Sequence, residues 1–205
     1  MPVVFLIRHG ENDVMHRSLA GRLPGVHLNE RGRKQAQELV ELLKNQPLRA
    51  IYSSPLERAI ETAEPLAFAT SQKIQIEPRL LEIDYGRWQG RTYKQLQRLK
   101  AWQLLHTEPS RVLFPGGETL PGAQRRITPF LDEIAKSHTE KDILVCFTHA
   151  DVIRLAVAYY LHIQLDDFQR LSVLPASVSG LMLGGETPQL LFMNLTSSTL
   201  PEMGK

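Results

Sequence analysis

Two short apolar runs in this 205-residue chain, Val3-Val4-Phe5-Leu6-Ile7 and Ile143-Leu144-Val145-Cys146-Phe147, each break off next to a histidine, in Arg8-His9-Gly10 and in Thr148-His149. Continuous apolar runs of this length, rich in β-branched residues, read as strands covered on both faces, as in parallel sheets with helices on either side. Polar chemistry begins where each strand ends. In an open α/β sheet the carboxyl ends of the strands form the mouth of the ligand crevice, so both histidines are expected there.

The segments between them fit the same plan. Asn29 reads as the N-cap of a helix whose apolar positions Ala36, Leu39, Val40 and Leu43 follow helical spacing. Ala50-Ile51-Tyr52 makes a second strand, and Ser54-Pro55-Leu56-Glu57 combines a Ser-x-x-Glu capping box with proline at the first helical position. That predicts a helix starting at Pro55 with Arg58 in its first turns. Ile74 to Ile76 reads as a third strand. Residues 80–122, rich in glycine and aromatics, read as an excursion over the sheet edge with one helix, capped by Thr92 with Gln95 three residues on.

Ile127, Phe130, Leu131 and Ile134 repeat the helical pattern, and Pro129 inside it should kink that helix or move its start. A further helical face, Val152 to Tyr160, follows the second histidine. Val178 to Leu183 and Leu190 to Asn194 flank Gly184-Gly185 and read as a closing hairpin. The expected fold is α/β: a three-layer αβα arrangement of a mostly parallel, doubly wound sheet with an antiparallel edge and a helical excursion over the active site. One domain is expected over residues 1–195, with residues 196–205 a frayed tail.

Composition narrows the function classes. Hydrophobic residues at 42% and charged residues at 22% are ordinary for a soluble globular chain, and the length suffices for a full core. A formal charge of +2, spread among interleaved acids and bases, argues against a nucleic-acid partner. The N-terminal apolar run is too short for a signal core and no segment is long enough to span a bilayer, so a chain starting near Met1, with no membrane partner, is expected. Cys146, the only cysteine, has no internal disulfide partner and suits a buried apolar site in a reducing cytoplasm.

The residues at the crevice mouth suit phosphate chemistry. A phosphate dianion needs fixed positive charge, which Arg8 and Arg58 can supply as bidentate forks. A cation beside His9 favours its neutral, nucleophilic form, whose attack on phosphorus would give a phosphohistidine. An isolated Arg-His-Gly at a strand end is more often just a solvated loop. What outweighs that reading is His149 at the start of another helix, where free backbone N–H groups from Ala150 onward form a second anion site. The remaining histidines, His16, His27, His106, His138 and His162, show no metal-ligand spacing, and no nucleotide-binding glycine loop is present. Neither a metal nor an organic cofactor is expected.

Four stretches in order, Leu6-Ile7-Arg8-His9-Gly10-Glu11, Tyr52-Ser53-Ser54-Pro55-Leu56-Glu57-Arg58-Ala59 with Thr62-Ala63, Leu81-Glu82-Ile83-Asp84-Tyr85-Gly86-Arg87-Trp88-Gln89-Gly90, and Thr148-His149, give a sequence that resembles the histidine phosphatase superfamily, the phosphoglycerate mutase-like proteins. The resemblance runs from Val3 to about Leu183. It implies His9 as the phosphorylated nucleophile, Arg8, Arg58 and His149 as the rest of the phosphate pocket, and Glu82 as general acid. A carboxyl beside a bound dianion resists ionising, which suits that role, although Asp84 and Glu11 are rival donors on residue type alone.

The chain departs from the family pattern in two places. Asn12-Asp13-Val14-Met15-His16 stands where many members carry Trp-Asn, leaving the phosphate-contacting Asn unassigned, and Ala150-Asp151 stands where Gly-Gly is frequent. Asp151 reads as a helix cap, or else as a charge that narrows which substrates fit. Arg17, Arg22, Arg87 and Lys94 could reach a second acidic group on a substrate, but each reads more readily as a solvated surface cation.

The expected function is hydrolysis of a small phosphorylated metabolite without metal. A phosphoglycerate-type phosphomutase is the alternative, disfavoured because the 80–122 excursion is short. A non-catalytic phosphate-recognition module is a third reading. A homodimer through the closing hairpin remains open.

Overall fold

The computed structural model describes residues 1–197, so the tail expected to fray lies, from residue 198 on, outside the described residues. Strands β1 (Val3–Arg8), β2 (Leu48–Ser53), β3 (Ile74–Ile76), β4 (Ile143–Thr148), β5 (Val178–Met182) and β6 (Gln189–Leu195) form one sheet in the order β3-β2-β4-β1-β5-β6. The first four in that order are parallel, while β5 runs antiparallel to β1 and β6 antiparallel to β5, which makes the expected antiparallel edge.

Alternation along the strands divides the core into two layers. Val4, Leu6, Leu144 and Cys146 face the helices over residues 120–136 and 150–160, whereas Phe5, Ile7, Val145 and Phe147 face the opposite layer. That opposite layer holds α1 (Glu30–Leu43) and α2 (Glu57–Ala69), which contribute Leu39, Val40, Leu43, Ala63 and Leu66. Asn29 caps α1 by accepting from the Gly32 N–H at 2.8 Å. Gly32 also abuts the loop after β1: a Cβ on Gly10 would lie 2.7 Å from the Gly32 carbonyl oxygen, so this approach excludes side chains.

The excursion holds two helices, α3 (Tyr93–Leu96) and α4 (Lys100–Thr107), rather than one. Thr92 and Gln95 form the expected capping box on α3, whereas α4 has no side-chain cap to announce it. Ile83, Tyr85, Trp88, Leu96 and Phe114 pack there as a third apolar cluster, together with Leu155, Ala158 and Phe168. Then α5 (Leu120–Lys136), capped by Thr119, continues through Pro129 as one helix. Buried Ile127, Phe130, Leu131 and Ile134 on its sheet-facing side outweigh the single backbone hydrogen bond that Pro129 forfeits. Finally α6 (Ala150–Tyr160) leaves β4 and covers the same face as α5.

The chain leaves β1 toward the α1 layer and β4 toward the α6 layer, and these two strands are neighbours. The sheet therefore opens into a crevice at their carboxyl ends, the switch point at which open α/β sheets hold ligands. Among the described residues no helix is long and apolar enough to cross a membrane.

Candidate active site

The crevice places both histidines side by side. The His9 N–H donates to the Thr148 carbonyl at 3.0 Å, extending the β1–β4 ladder by one residue, and the His9 and His149 rings lie 5.2 Å apart between centroids. His9 Nδ1 is 2.7 Å from the Gly10 carbonyl oxygen. A carbonyl only accepts, so Nδ1 carries the proton and Nε2 keeps its lone pair. Burial, then Arg58, then Arg8 hold the His9 imidazole well below its ordinary proton affinity. Neutrality thus comes chiefly from burial, with Arg58 ahead of the adjacent Arg8.

Arg58 is fully buried, which a guanidinium tolerates only with good partners. Its Nη2 donates to the Gly21 carbonyl at 2.7 Å and lies 3.4 Å from His149 Nδ1. Since arginine cannot accept, His149 Nδ1 is the acceptor and its Nε2–H donates to Ser54 Oγ at 2.8 Å. Burial, then Arg58, also keeps His149 well below the usual imidazole range. Among the described residues, Arg58 Nη1 and Arg8 Nε have no hydrogen-bond partner although both are buried. Each unpaired group costs about 1–3 kcal/mol, an expense that anion-binding guanidiniums incur.

This arrangement explains why α2 starts late. The hydroxyl of Ser54 is engaged with His149, and the Glu57 carboxylate accepts from the Gly25 N–H at 2.9 Å, so neither closes the predicted capping box. The helix begins at Glu57, with Leu56 as an N-cap that makes no side-chain bond. Thr62, one turn on, accepts from the Gly10 N–H at 3.0 Å and donates to the Arg58 carbonyl at 2.6 Å, linking the nucleophile loop to α2.

Arg8, His9, Arg58, Glu82 and Ala150 line one cavity of about 180 Å³, whereas His149 is wholly buried and reaches it only through its contacts with His9 and Arg58. A larger hollow of about 550 Å³ between α1 and α2 contains none of these residues. Converging charge, rather than volume, marks the site. Glu82 is pushed up to about 7, first by burial and then by Asp151, against the opposing pull of Arg58 and Arg8. Neither rival carboxylate lines this cavity: Glu11 lies 3.5 Å from Arg31, and Asp84 accepts from the Gly86 N–H.

The segment carrying Glu82 is held from outside the cavity. Arg22 Nε donates to the Glu82 carbonyl at 2.7 Å, and Arg126 Nη1 donates to the Leu81 and Arg79 carbonyls at 2.9 and 2.6 Å. Both guanidiniums are oriented by Glu118, whose carboxylate also accepts from the Asp84 N–H at 3.0 Å. Arg22 is thus a tethering residue rather than the solvated cation its sequence context suggests.

Several further residues line the cavity beyond those expected to form the phosphate pocket. Asn12 is buried in the wall, with Oδ1 accepting from the Val14 and Met15 N–H groups, so its NH2 is what it can offer a ligand. Tyr85, Tyr93 and Arg154 also line the cavity. Asp151 does not cap α6. It sits inside the first turn, where its carboxylate accepts from the Tyr85 hydroxyl at 2.5 Å and Arg154 Nη1 at 2.7 Å, while His149 occupies the cap position. The helix N-terminus beside the cavity is therefore left without a side-chain cap.

A family model of the histidine phosphatase superfamily (branch 1) matches residues 4–196. The chain belongs to that superfamily. Phosphoserine phosphatase 1 of Hydrogenobacter thermophilus is 31% identical over 96% of this chain and 93% of its own length. A 2,3-bisphosphoglycerate-dependent phosphoglycerate mutase of Thermoplasma acidophilum is 29% identical over 87% of this chain and 86% of its own. Among solved structures, a mycobacterial glucosyl-3-phosphoglycerate phosphatase in complex with VO3 superimposes with a TM-score of 0.85 at 27% identity, covering 96% of this chain and 100% of that one. Both phosphatases and mutases thus occur among the superfamily relatives of this chain.

Proposed function

We propose that the protein hydrolyses small phosphomonoesters through a phosphohistidine on His9. The observation that carries this reading is a neutral His9 with Nε2 unprotonated, in a cavity shared with two guanidiniums that each keep a buried, unpartnered N–H. In the first step His9 Nε2 forms a bond to phosphorus while the bond from phosphorus to the ester oxygen breaks, and protonated Glu82 donates its proton to the departing alkoxide. Arg8, Arg58 and the Ala150 N–H hold the phosphoryl oxygens, and His149, accepting from Arg58 through Nδ1, positions that guanidinium. In the second step water attacks phosphorus and the N–P bond breaks. Glu82 takes the water proton, and inorganic phosphate leaves.

Phosphate release from a panel of phosphomonoesters by the purified protein tests the reading. His9→Ala should abolish release, and an unchanged rate would remove His9 from the mechanism. Isomerisation of phosphoglycerate with no free phosphate from any ester would favour the mutase reading, which uses the same residues. Turnover should persist in the presence of a chelator, because guanidinium groups supply the positive charge.

A further inference from the structure

The charge balance of the cavity carries an inference that rests on the hydrolase reading and specifies its substrates. Three guanidiniums, Arg8, Arg58 and Arg154, and two carboxyl groups, Glu82 and Asp151, line the wall. Arg154 sits on the side of α6 facing the site, where it could meet a second anionic group on a substrate, but its charge is already matched. Its Nη1 is 2.7 Å from Asp151 Oδ1, and its Nε donates to the Leu171 carbonyl at 2.8 Å. Both side chains are about three-quarters withdrawn from solvent, so this pairing is not a loose surface contact. Tyr85 locks the other carboxylate oxygen through its hydroxyl.

With Glu82 protonated as the acid and Arg154 neutralised by Asp151, two positive charges remain, on Arg8 and Arg58. A phosphate dianion uses both. We infer that the cavity selects phosphomonoesters whose alcohol portion bears no second net negative charge, with Asp151 as the specificity-determining residue. The lone pairs of Asp151 not spent on Tyr85 and Arg154 suit a hydroxyl or an ammonium group on the alcohol. A carboxylate brought to the same place would meet Asp151 at close range with no unmatched cation beside it. Sequence allowed this reading of Asp151 beside the capping one, and the bonds to Tyr85 and Arg154 favour it.

Glycerol 3-phosphate and 3-phosphoglycerate form a matched pair, differing by a hydroxymethyl group against a carboxylate. Their inhibition constants against p-nitrophenyl phosphate hydrolysis report binding even where their own turnover is slow. The wild-type protein should favour glycerol 3-phosphate by about tenfold or more. Asp151→Asn should move the ratio toward 3-phosphoglycerate by about tenfold, and Arg154→Met, which leaves Asp151 unmatched, should move it the other way. A wild-type preference for 3-phosphoglycerate, or variants that shift the ratio in the same direction or by less than about twofold, would overturn the inference. No phosphate release from p-nitrophenyl phosphate by the wild type would sink the hydrolase reading itself, and this inference with it.

Discussion

A carboxyl group that must protonate an alkoxide near neutrality needs a proton affinity above the ordinary carboxylate range, and burial beside Asp151 raises Glu82 to about 7. The acid form is present below that pH and is lost as pH rises through it. His9 and His149, both held well below 6.5, stay neutral across the same interval. For alkyl phosphates kcat/KM should therefore fall above about pH 7, following loss of the Glu82 proton in the free enzyme. With p-nitrophenyl phosphate, whose leaving group is stable as an anion, the alkaline limb should flatten. Glu82→Gln should lower kcat/KM, which reports only the ester-cleaving step, by about 10²–10⁴-fold for alkyl esters and spare it for the aryl ester, while kcat falls for both through the lost base of the second step; equal loss of kcat/KM on both would dismiss Glu82 as the acid. Arg8, His9, Arg58 and His149 were legible in sequence because each sits in a contiguous motif at a strand end or helix start. Asn12, Tyr93 and Arg154 were not, since their side chains reach the cavity only through the tertiary placement of a loop and two helices.

At the level of elements, the structure differs from the sequence reading where side chains chose a distant partner over a local one. Ser54 and Glu57 have the spacing of a capping box, yet one bonds His149 and the other the Gly25 backbone, so α2 yields two residues of helix to the site. Local pattern identifies a capable donor or acceptor but not its rivals across the fold. Glu118 shows the same principle on a larger scale, binding Arg22, Arg126 and the Asp84 N–H so that the strand-to-excursion segment carrying Glu82 keeps its path. Replacing Glu118 by Ala should cost about 2 kcal/mol of stability, since two guanidiniums and a backbone donor lose their acceptor. Thermal unfolding should then start about 4–8 °C lower for a chain of this size. Alkyl-ester turnover should also drop more than aryl-ester turnover, through a displaced acid; Glu118→Gln, which keeps one acceptor oxygen, should recover part of both. A fall in melting temperature with an unchanged alkyl-to-aryl ratio would reduce Glu118 to a purely structural role.

Over the whole molecule, the layer plan and the antiparallel edge follow from apolar runs and helical spacing, but the strand order does not. Periodicity marks a strand and the face it buries without naming its neighbours. That β4 enters between β1 and β2 emerges only from the assembled sheet. Cys146 lies on that central strand, wholly buried, with its thiol pushed far toward the protonated form by burial. Thiol-reactive probes should therefore label the native protein only as fast as the sheet opens globally, with a denaturant dependence matching that of unfolding. Labelling that is fast and independent of denaturant would place the opening in a local fluctuation instead. The same strand order bears on how the protein comes off the ribosome. A nascent chain halted before Ile143 holds His9, just past β1, and Arg58, at the start of the helix after β2, with no strand to bring β1 and β2 into one sheet. Competence then arrives late and in one step, when a downstream segment threads into the gap, and truncated translation products are inert rather than partly active.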